Sequence, residues 1–372
     1  MPVACSKTVI HVVTSLGFGG VEKRMENIAR ASKESMLRHR FCAVGPGGST
    51  EKALLATGAQ VDCLDKPTAI PSSGAVLNLY RYFGKIQPLV VHTHGAEANF
   101  HGLIAAKLAG VPVRIGEEIG IPQHSARAKF VFRQVYRAAH RVVCVSDSVM
   151  RWLTDSGEVP HYKATRIYNP VVLSKMSPNG SFSGHPFRIG FVGRLEPVKN
   201  PFALLQAMKE LLDQGISAEL WVVGDGSERG RMEQYIAENG LGEIVCLFGY
   251  QPDPERFLCE CDLYVQPSIS EGFGIALVEA MGLGLPVISI AVGGASEIIE
   301  HGRTGWLIQE PDALTIVNAI KRVLLLDNEQ RRAIGRAAAN SVNGRFEPAI
   351  YLQAISSLYM DVLASRNKVW CE

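Results

Sequence analysis

The chain has 372 residues, of which 47% are hydrophobic and 20% are charged, and its formal net charge is +2. This length and composition predict two globular domains and exclude a collagen-like, coiled-coil or largely disordered protein. Because basic and acidic residues almost cancel, the chain lacks the charge typical of a nucleic-acid-binding protein, and we expect no nucleic-acid partner.

Short runs of apolar and β-branched residues recur along the whole chain, and segments with helical periodicity separate most of them. This alternation predicts an α/β fold with βαβ units and parallel sheets that are covered on both faces. Strands are predicted at residues 9–13, 41–44, 61–64, 89–92, 111–115, 142–145, 189–192, 220–223, 244–248, 263–265, 287–290 and 306–308. Residues 274–295 approach the length of a membrane span, but glycines and Pro286 divide them into a predicted helix, turn and strand.

The break between the two domains is visible in composition. Residues 172–187 collect Ser, Gly, Pro and Asn without periodicity, which predicts a linker. We predict a first domain over residues 1–178 and a second over 179–346, both doubly wound and Rossmann-like, facing each other across a cleft. A last helix within 347–372 either crosses back to the first domain or stays with the second.

Cysteine usage bears on the cellular compartment. The eight cysteines are scattered, mostly within apolar strand-like segments, and form no C-x-x-C pairs. This pattern is typical of buried thiols in a reducing compartment rather than of a disulfide scaffold. We therefore expect a cytoplasmic protein, with a peripheral position on the inner face of the cytoplasmic membrane as the alternative.

The most informative segment, PSISEGFGIALVEAM at 267–281, places a glycine-rich turn between a predicted strand and a predicted helix. Doubly wound sheets bind ligands at such turns, and the unpaired amides from Gly274 to Leu277 can donate to phosphate or sugar oxygens. Glu271 and Glu279 are separated by about 8 Å along the helix axis. Two carboxylates so placed can each hold one sugar while the amides bind a diphosphate between them.

A second predicted strand-to-helix turn, FVGRLEPVKNP, supplies two cations. Asn200 is predicted as the N-cap of its helix, Pro201 as the first helical residue and Gly215 as the stop. Arg194 and Lys199 therefore flank a second positive helix end, and together they can hold a leaving diphosphate without a metal. No D-x-D motif or His/Cys cluster lies near these turns in the sequence, so no metal ligand is predicted.

These two segments, together with four others, resemble glycosyltransferase family 4, retaining enzymes of the GT-B fold, in their order and spacing. The other four are VGDG at 223–226, PVI at 286–288, GGASE at 293–297 and GRTG at 302–305. The resemblance spans nearly the whole chain and is most specific in the C-terminal half. It implies that Glu271 contacts the donor hexose, Glu279 the nucleotide ribose, and Arg194 and Lys199 the diphosphate.

The resemblance also implies the rest of the donor site. The backbone at Phe248 and Gly249 would line the base pocket, and residues 224–226 would approach the nucleotide closely. The loop with Gly19 and Gly20, after the first strand, would face the donor phosphate and the acceptor. With Glu271, Arg194 and Lys199 as catalytic residues, the implied donor-binding residues are Gly19, Gly20, Gly224, Asp225, Gly226, Phe248, Gly249, Gly272, Phe273, Gly274, Ile275, Ala276, Leu277 and Glu279.

On the acceptor side the sequence departs from the family. Members often carry a histidine in a Thr-Glu-His-Gly-like turn, and here the matching turn, GEEIG at 116–120, has Ile119 in its place. Glu118 and His124 are candidate substitutes, while His94 is either a cleft residue or a structural histidine. In this family the leaving phosphate is thought to take the acceptor's proton, so positioning and charge stabilisation would supply most of the rate without a side-chain base.

The segment from Arg127 to Arg141 is basic and amphipathic. One interpretation is a face that lies on anionic lipid, which suits a lipid-linked acceptor. The other is a solvated helix that packs Phe130, Val131 and Val135 inward. The sequence leaves both interpretations open.

We predict a retaining, metal-independent enzyme that needs no cofactor and moves a hexosyl or N-acetylhexosaminyl unit from a nucleotide sugar, UDP-linked by preference. The expected acceptor is a glycan or a lipid-linked glycan in cell-surface polysaccharide biosynthesis. The competing hypotheses are a sugar-nucleotide epimerase or hydrolase of the same fold and a non-catalytic nucleotide-sugar-binding protein. A nicotinamide site is disfavoured, because the glycines at 17–20 and 224–230 do not fit G-x-G-x-x-G.

Overall fold

The computed structural model describes residues 6–17, 19–174 and 186–369, so most of the predicted linker lies outside the described residues. The chain divides into two compact units. The first consists of Met1–Pro170 and Phe346–Glu372, and the second of Val171–Arg345. The C-terminal segment therefore belongs to the first unit.

The first unit is built on a seven-stranded parallel sheet, with the order β3-β2-β1-β4-β5-β6-β7. Its strands are β1 Ser6–Val13, β2 Arg38–Ala43, β3 Gln60–Cys63, β4 Pro88–His94, β5 Val113–Glu118, β6 Arg141–Cys144 and β7 Ala164–Arg166. Its helices begin with α1 Gly20–Ala31, α2 Ser49–Ala56, α3 Ser73–Ile86, α4 Ala96–Leu108, α5 Ala126–Ala138 and α6 Asp147–Asp155. Six of these strands were predicted; β7 was missed because its three residues, Ala-Thr-Arg, form no apolar run.

The second unit contains a six-stranded parallel sheet, with the order β10-β9-β8-β11-β12-β13. Its strands are β8 Phe187–Val192, β9 Ala218–Val223, β10 Val245–Leu247, β11 Leu263–Gln266, β12 Val287–Ile290 and β13 Trp306–Ile308. Its helices are α7 Pro201–Asp213, α8 Arg229–Glu238, α9 Glu255–Leu258, α10 Ile275–Gly282, α11 Ala295–Ile298, α12 Ala313–Leu324 and α13 Asn328–Val342. When the strands of each unit are numbered from its own first strand, both sheets contain the order 3-2-1-4-5-6, which is the doubly wound arrangement.

The long apolar stretch of the second unit is divided as predicted. It forms α10, a turn at Pro286 and then the buried strand β12. Across the described ranges, no helix combines the length and hydropathy that crossing a bilayer would require. The six cysteines within these ranges have free thiols, and four of them are buried.

The last helix, α14 Pro348–Val369, packs against the sheet of the first unit. Ile355 and Val362 join the apolar core beneath it, and two tyrosines enter with them. The hydroxyl of Tyr359 is hydrogen-bonded to Nδ1 of His92 at 2.7 Å, and that of Tyr351 accepts from Arg24 at 2.9 Å. The C-terminal segment is thus held by both apolar burial and polar contacts.

These tyrosines reach a buried polar network between α1 and the central strands. The guanidinium of Arg24 lies 2.6 Å from the carboxylate of Glu117, and their side chains are 1% and 0% exposed. Burial opposes ionisation of Glu117, but Arg24 and hydrogen bonds from His92 and His94 outweigh it and hold its pKa well below the usual range. The network therefore contains one fully buried, compensated ion pair.

The histidines of the network are neutral near pH 7. His94 is hydrogen-bonded to Glu117 at 2.7 Å and to His11 at 3.0 Å, and His11 continues to His39 at 2.9 Å. Burial is the main cause that lowers the pKa of His94 to about 3 and that of His39 to about 4. A chain of neutral imidazoles thus extends from the carboxylate of Glu117 to His39 on β2.

Replacing Arg24 by methionine is expected to destabilise the first unit by about 3–5 kcal/mol, because the carboxylate of Glu117 would remain buried without its cation. Hydrogen exchange of peptides that contain β1 and β4 measures this change under native conditions. The matched control is Arg30→Met on the same helix, where the arginine is 63% exposed and 4.0 Å from Glu26. The control should change stability by less than about 0.5 kcal/mol. Equal effects of the two substitutions would contradict the importance of the buried pair.

Candidate functional site

The candidate site lies at the carboxyl edge of the second sheet. β8 and β11 are neighbours there, with β9 and β10 on one side and β12 and β13 on the other. The turns that follow β8 and β11 therefore meet at the topological switch point, where doubly wound sheets bind ligands. The first turn carries Arg194 and Lys199, and the second carries Glu271.

Glycines allow the turns after β8 and β9 to touch through their backbones. A Cβ on Gly224 would lie 1.8 Å from the carbonyl oxygen of Gly193, and one on Gly226 would lie 2.5 Å from that of Leu195. The amide of Leu195 donates to the carbonyl of Asp225 at 2.9 Å. These glycines are required by the packing of the protein itself, and their predicted approach to the nucleotide stays a prediction.

The turn after β10 joins the same group. The amide of Gly224 donates to the carbonyl of Gly249 at 2.8 Å. Phe248 packs on Trp221, with ring centroids 5.1 Å apart. The predicted base-pocket residues are thus brought next to residues 224–226, as a single nucleotide site would require.

On the other side of the switch point, two glycines hold the turn that contains Glu271. A Cβ on Gly293 would lie 1.6 Å from the carbonyl oxygen of Glu271, and one on Gly294 would lie 2.5 Å from that of Phe273. Phe273 is buried and anchors the turn in the core. The GGASE segment therefore fixes the position of the Glu271 turn.

Lys199 and Glu271 form an ion pair at the centre of the site. Nζ of Lys199 lies 2.5 Å from Oε2 of Glu271, and the side chains are 22% and 13% exposed. The amide of Ile269 donates to the carbonyl of Val198 at 2.9 Å, so the two turns are also joined through their backbones. Arg194 is exposed, and its side chain forms no hydrogen bond or ion pair within the described parts of the chain. One cation of the predicted pair is therefore neutralised and the other is available.

The turn between Lys199 and α7 was predicted to have Asn200 as its N-cap, and the structure confirms only part of this prediction. Pro201 is the first helical residue, and the helix ends two residues before Gly215, as predicted. Asn200 occupies the N-cap position but adopts the left-handed conformation, with φ 53°, and its side chain caps nothing. Its Nδ2 donates instead to the carbonyl of Pro311 at 2.7 Å. Asparagine tolerates this conformation, and the turn thereby directs Lys199 towards Glu271.

α10 presents the other predicted donor groups. It begins after Gly274, whose φ is +102°, and no side chain caps it. The amides of Ile275, Ala276 and Leu277 therefore form an uncapped first turn directly after Gly272 and Phe273, where an anion is favoured. Glu279 lies further along the helix and is buried.

One side chain near the predicted base-pocket residues, that of Arg229, was not predicted from the sequence as part of the site. Arg229 begins α8, and its Nη1 would lie 3.2 Å from a Cβ on Gly249. It also lies 3.7 Å from Asp225 and donates to Glu233 at 2.8 Å. In the sequence it stands where a dinucleotide fingerprint counted from Gly224 would need its third glycine.

In the first unit, the candidate acceptor-side residues have partners inside the protein. His94 is buried in the network with Glu117, which supports the structural interpretation of this histidine. Glu118 is also buried; its Oε1 accepts from the Tyr136 hydroxyl and, at 2.8 Å, from Asn99, and burial raises its pKa to about 7. His124 lies 3.0 Å from Glu158. The helix that follows Gly19 begins at Gly20, and for all these residues a contact with an acceptor or donor stays a prediction.

Three histidines that lie far apart in the sequence form a cluster that sequence reasoning also missed. The ligating atoms of His11, His92 and His94 lie within 4.8 Å of one another, a spacing that a metal ion can bridge. However, Arg24 lies 3.5 Å from His94 within the same buried region. Each of the three histidines already has a hydrogen-bonding partner in the network, so a metal ion would have to displace those contacts.

The basic helix α5 exposes more apolar surface than the solvated-helix interpretation predicts. Val135 is buried as expected, but Phe130 is 64% exposed and Val131 is 38% exposed, so their inward packing was wrong. Lys129 and Arg133 make internal contacts: Lys129 lies over the ring of Trp152, and Nε of Arg133 donates to the carbonyl of Gly157. Arg127 and Arg137 are exposed beside the apolar pair.

The substitution Gly224→Ala is expected to destabilise the second unit by more than about 2 kcal/mol, because its Cβ would overlap the backbone of Gly193. Thermal unfolding of the purified protein measures the effect. Gly230→Ala in α8 is the control, since nothing lies within 4 Å of its added Cβ. Alanine is the better helix former, so the control should be unchanged or up to about 1 kcal/mol more stable. A neutral Gly224→Ala variant would contradict the packing requirement.

Known proteins agree with the fold. The Anabaena protein HepE, solved in complex with UDP and glucose, superposes with a TM-score of 0.81 at 21% identity and covers 95% of this chain and 99% of its own. This confirms the predicted GT-B fold. UDP-Gal:alpha-D-GlcNAc-diphosphoundecaprenol alpha-1,3-galactosyltransferase of Escherichia coli is 26% identical over 313 residues, 78% of this chain and 80% of that protein.

A second relative, the capsular polysaccharide biosynthesis glycosyltransferase CapM of Staphylococcus aureus, is 24% identical over 308 residues, 77% of this chain and 80% of its own length. Two family models match adjacent parts of the chain. Glycosyltransferase Family 4 matches residues 18–175, and Glycosyl transferases group 1 matches residues 175–341. Since these two matches together cover residues 18–341, the chain belongs to glycosyltransferase family 4.

Proposed function

We propose that this glycosyltransferase is a retaining, metal-independent enzyme that transfers a hexosyl or N-acetylhexosaminyl unit from a UDP-sugar to a glycan or lipid-linked acceptor in cell-surface polysaccharide biosynthesis. The observation that carries the proposal is the ion pair of Lys199 and Glu271 at the switch point of the second sheet, with Arg194 exposed on the same turn as Lys199. The choice of UDP is supported by the Escherichia coli relative, named for UDP-Gal, and by HepE, solved with UDP.

The charges of the site suit a nucleotide sugar. A diphosphate in ester linkage carries two negative charges, and Arg194 and Lys199 can each pair with one of them once Lys199 exchanges Glu271 for phosphate. The amides at the start of α10 add donors for the same oxygens. Glu271 accepts hydrogen bonds from sugar hydroxyls, which fixes the hexose beside its leaving phosphate.

The proposed chemistry needs no side-chain base. The bond between the anomeric carbon and the phosphate oxygen breaks while the acceptor oxygen attacks the same face of the sugar. The acceptor's proton passes to the departing phosphate oxygen, and the two cations stabilise the charge that develops there. This is compatible with Ile119 in the position where other family members often carry a histidine.

Substitution of Lys199 by methionine or of Glu271 by glutamine is expected to reduce kcat/KM by about two orders of magnitude, because each removes a charge-assisted contact in the transition state. The donor is first identified by thermal stabilisation with a panel of nucleotide sugars. Turnover is then measured with that donor and a polyprenyl-diphosphate-linked GlcNAc acceptor.

The controls separate the competing hypotheses. Sugar transferred to the acceptor with retained anomeric configuration, and in the presence of EDTA, supports the proposal. Free sugar or an epimerised nucleotide sugar as the main product identifies a hydrolase or an epimerase, and binding without turnover on any acceptor extract identifies a binding protein. Near-normal rates in both variants would contradict the assigned site.

We also infer that α5 contacts anionic lipid, which would bring the enzyme to a lipid-linked acceptor. The exposed Phe130 and Val131 supply apolar surface, and Arg127 and Arg137 supply charge on the same side of the helix. Lys129 contacts the ring of Trp152 and Arg133 donates to the carbonyl of Gly157, so these two side chains are not counted in the lipid-contacting surface.

The double variant Arg127→Ser/Arg137→Ser is expected to bind phosphatidylglycerol-containing vesicles at least about tenfold more weakly, since each basic residue near such a surface contributes about 1 kcal/mol. Vesicle flotation measures the binding, with phosphatidylcholine vesicles as the lipid control. Arg336→Ser, at an exposed position in the second unit, is the protein control and should bind like wild type. Equal binding by all three proteins would exclude α5 as the lipid-contacting helix.

A further inference from the structure

Lys199 and Glu271 have different roles in the proposed function, yet in the structure they bind each other. Lys199 is assigned to the diphosphate and Glu271 to the hexose, and their charged atoms lie 2.5 Å apart. A ligand that draws Lys199 onto its phosphates therefore takes away the cation that neutralises Glu271. The energetic consequence depends on whether that ligand offers Glu271 a replacement.

The backbone holds Glu271 in place when Lys199 turns to a ligand. Its carbonyl oxygen is packed against Gly293, where even a methyl group would overlap, and Ile269 is hydrogen-bonded to Val198. The only other side-chain hydrogen bond of its carboxylate within the described ranges is a 3.4 Å contact from the hydroxyl of Ser268. Arg194 is not among its partners. Among the residues that the structure describes, Glu271 thus contacts no second cation that could replace Lys199.

A nucleoside diphosphate and a nucleotide sugar differ in what they offer the carboxylate of Glu271. A nucleoside diphosphate engages Lys199 and leaves Glu271, which is 13% exposed, next to phosphate charge without a partner. A nucleotide sugar engages Lys199 in the same way, but its hydroxyls donate to Glu271 and replace the lost contact. The unpaired carboxylate therefore weakens the binding of the nucleoside diphosphate but not that of the nucleotide sugar.

Resting on the proposed function, we propose that Glu271 is a specificity-determining residue that weakens the binding of nucleoside diphosphate relative to nucleotide sugar, by competing for Lys199 whenever the hexose is absent. The same competition favours release of the nucleoside diphosphate product after transfer. Glu271 therefore acts on both donor selection and product release.

The test is a double-mutant cycle on UDP affinity. Isothermal titration calorimetry with UDP is performed on wild type, Glu271→Gln, Lys199→Met and the double variant. Glu271→Gln should bind UDP about three- to tenfold more tightly than wild type, the effect expected of one partly exposed ion pair. In the Lys199→Met background the same substitution should change UDP affinity by less than about twofold, because the partner is gone.

Two further arms complete the design. Binding of UDP-glucose and UDP-galactose should become no tighter in Glu271→Gln, so the preference of the site for nucleotide sugar over UDP falls. Glu243→Gln, at an exposed position before the amino end of β10, removes the same charge from the same unit and should leave UDP affinity unchanged. Glutamine has the shape of glutamate, which limits any effect on folding.

The outcomes distinguish this inference from the proposed function. A gain in Glu271→Gln no larger than that of Glu243→Gln overturns the inference, and so does a gain that persists in the Lys199→Met background, which would indicate a general field effect. Either result can occur in a protein that still binds UDP and transfers sugar, and then the proposed function stands. Failure of wild type to bind UDP or any nucleotide sugar overturns the proposed function and this inference together.

Discussion

Contact between backbones at the carboxyl edge of the second sheet is the constraint on which the candidate site depends. Side chains normally keep neighbouring turns apart, but Gly224 lies against Gly193, and Gly293 lies against the carbonyl of Glu271. The parallel strand order brings these turns to one edge, and the glycines allow them to close on one another. Lys199 and Glu271 can form a short ion pair because the turns that carry them are fixed at this distance.

The corresponding edge of the first sheet is organised differently. Side chains from β1, β4 and β5 fill it with a buried network, and the C-terminal helix contributes Tyr351 and Tyr359 to that network. Desolvation keeps the histidines neutral, so Arg24 and Glu117 carry its fixed charges. This network also explains physically why the last helix belongs to the first unit: its tyrosines satisfy polar groups that would otherwise be buried without partners.

Most of the fold could be predicted from the sequence, because apolar runs and helical periodicity report burial directly. β7 escaped because a three-residue edge strand buries too little to leave a pattern. The turns with Lys199 and Glu271 were found because glycine, proline and charge occur there at short, local spacing. Arg24, Glu117 and the three clustered histidines were not found as a group, since strands distant in the sequence bring them together.

Predictions from residue type were also wrong where the backbone conformation or the packing of a helix differed from what the residue types suggest. Asn200 has the side chain of a good N-cap, yet its left-handed conformation turns that side chain to Pro311. On α5, periodicity identified an amphipathic helix and the inward position of Val135. It did not indicate that Phe130 and Val131 are exposed, because their exposure depends on how much of the helix the rest of the unit covers.

The two ion pairs differ in a way that separates scaffold from site. Arg24 and Glu117 are almost wholly buried, so removing either partner leaves an uncompensated charge at a cost of about 3–5 kcal/mol. Lys199 and Glu271 are 22% and 13% exposed, and a pair with access to water contributes closer to 1 kcal/mol. A charged ligand can replace one partner in the Lys199–Glu271 pair, but not in the buried Arg24–Glu117 pair. Partial exposure of Lys199 and Glu271 is therefore what makes these charges exchangeable, and the same pair would be only structural if it were fully buried.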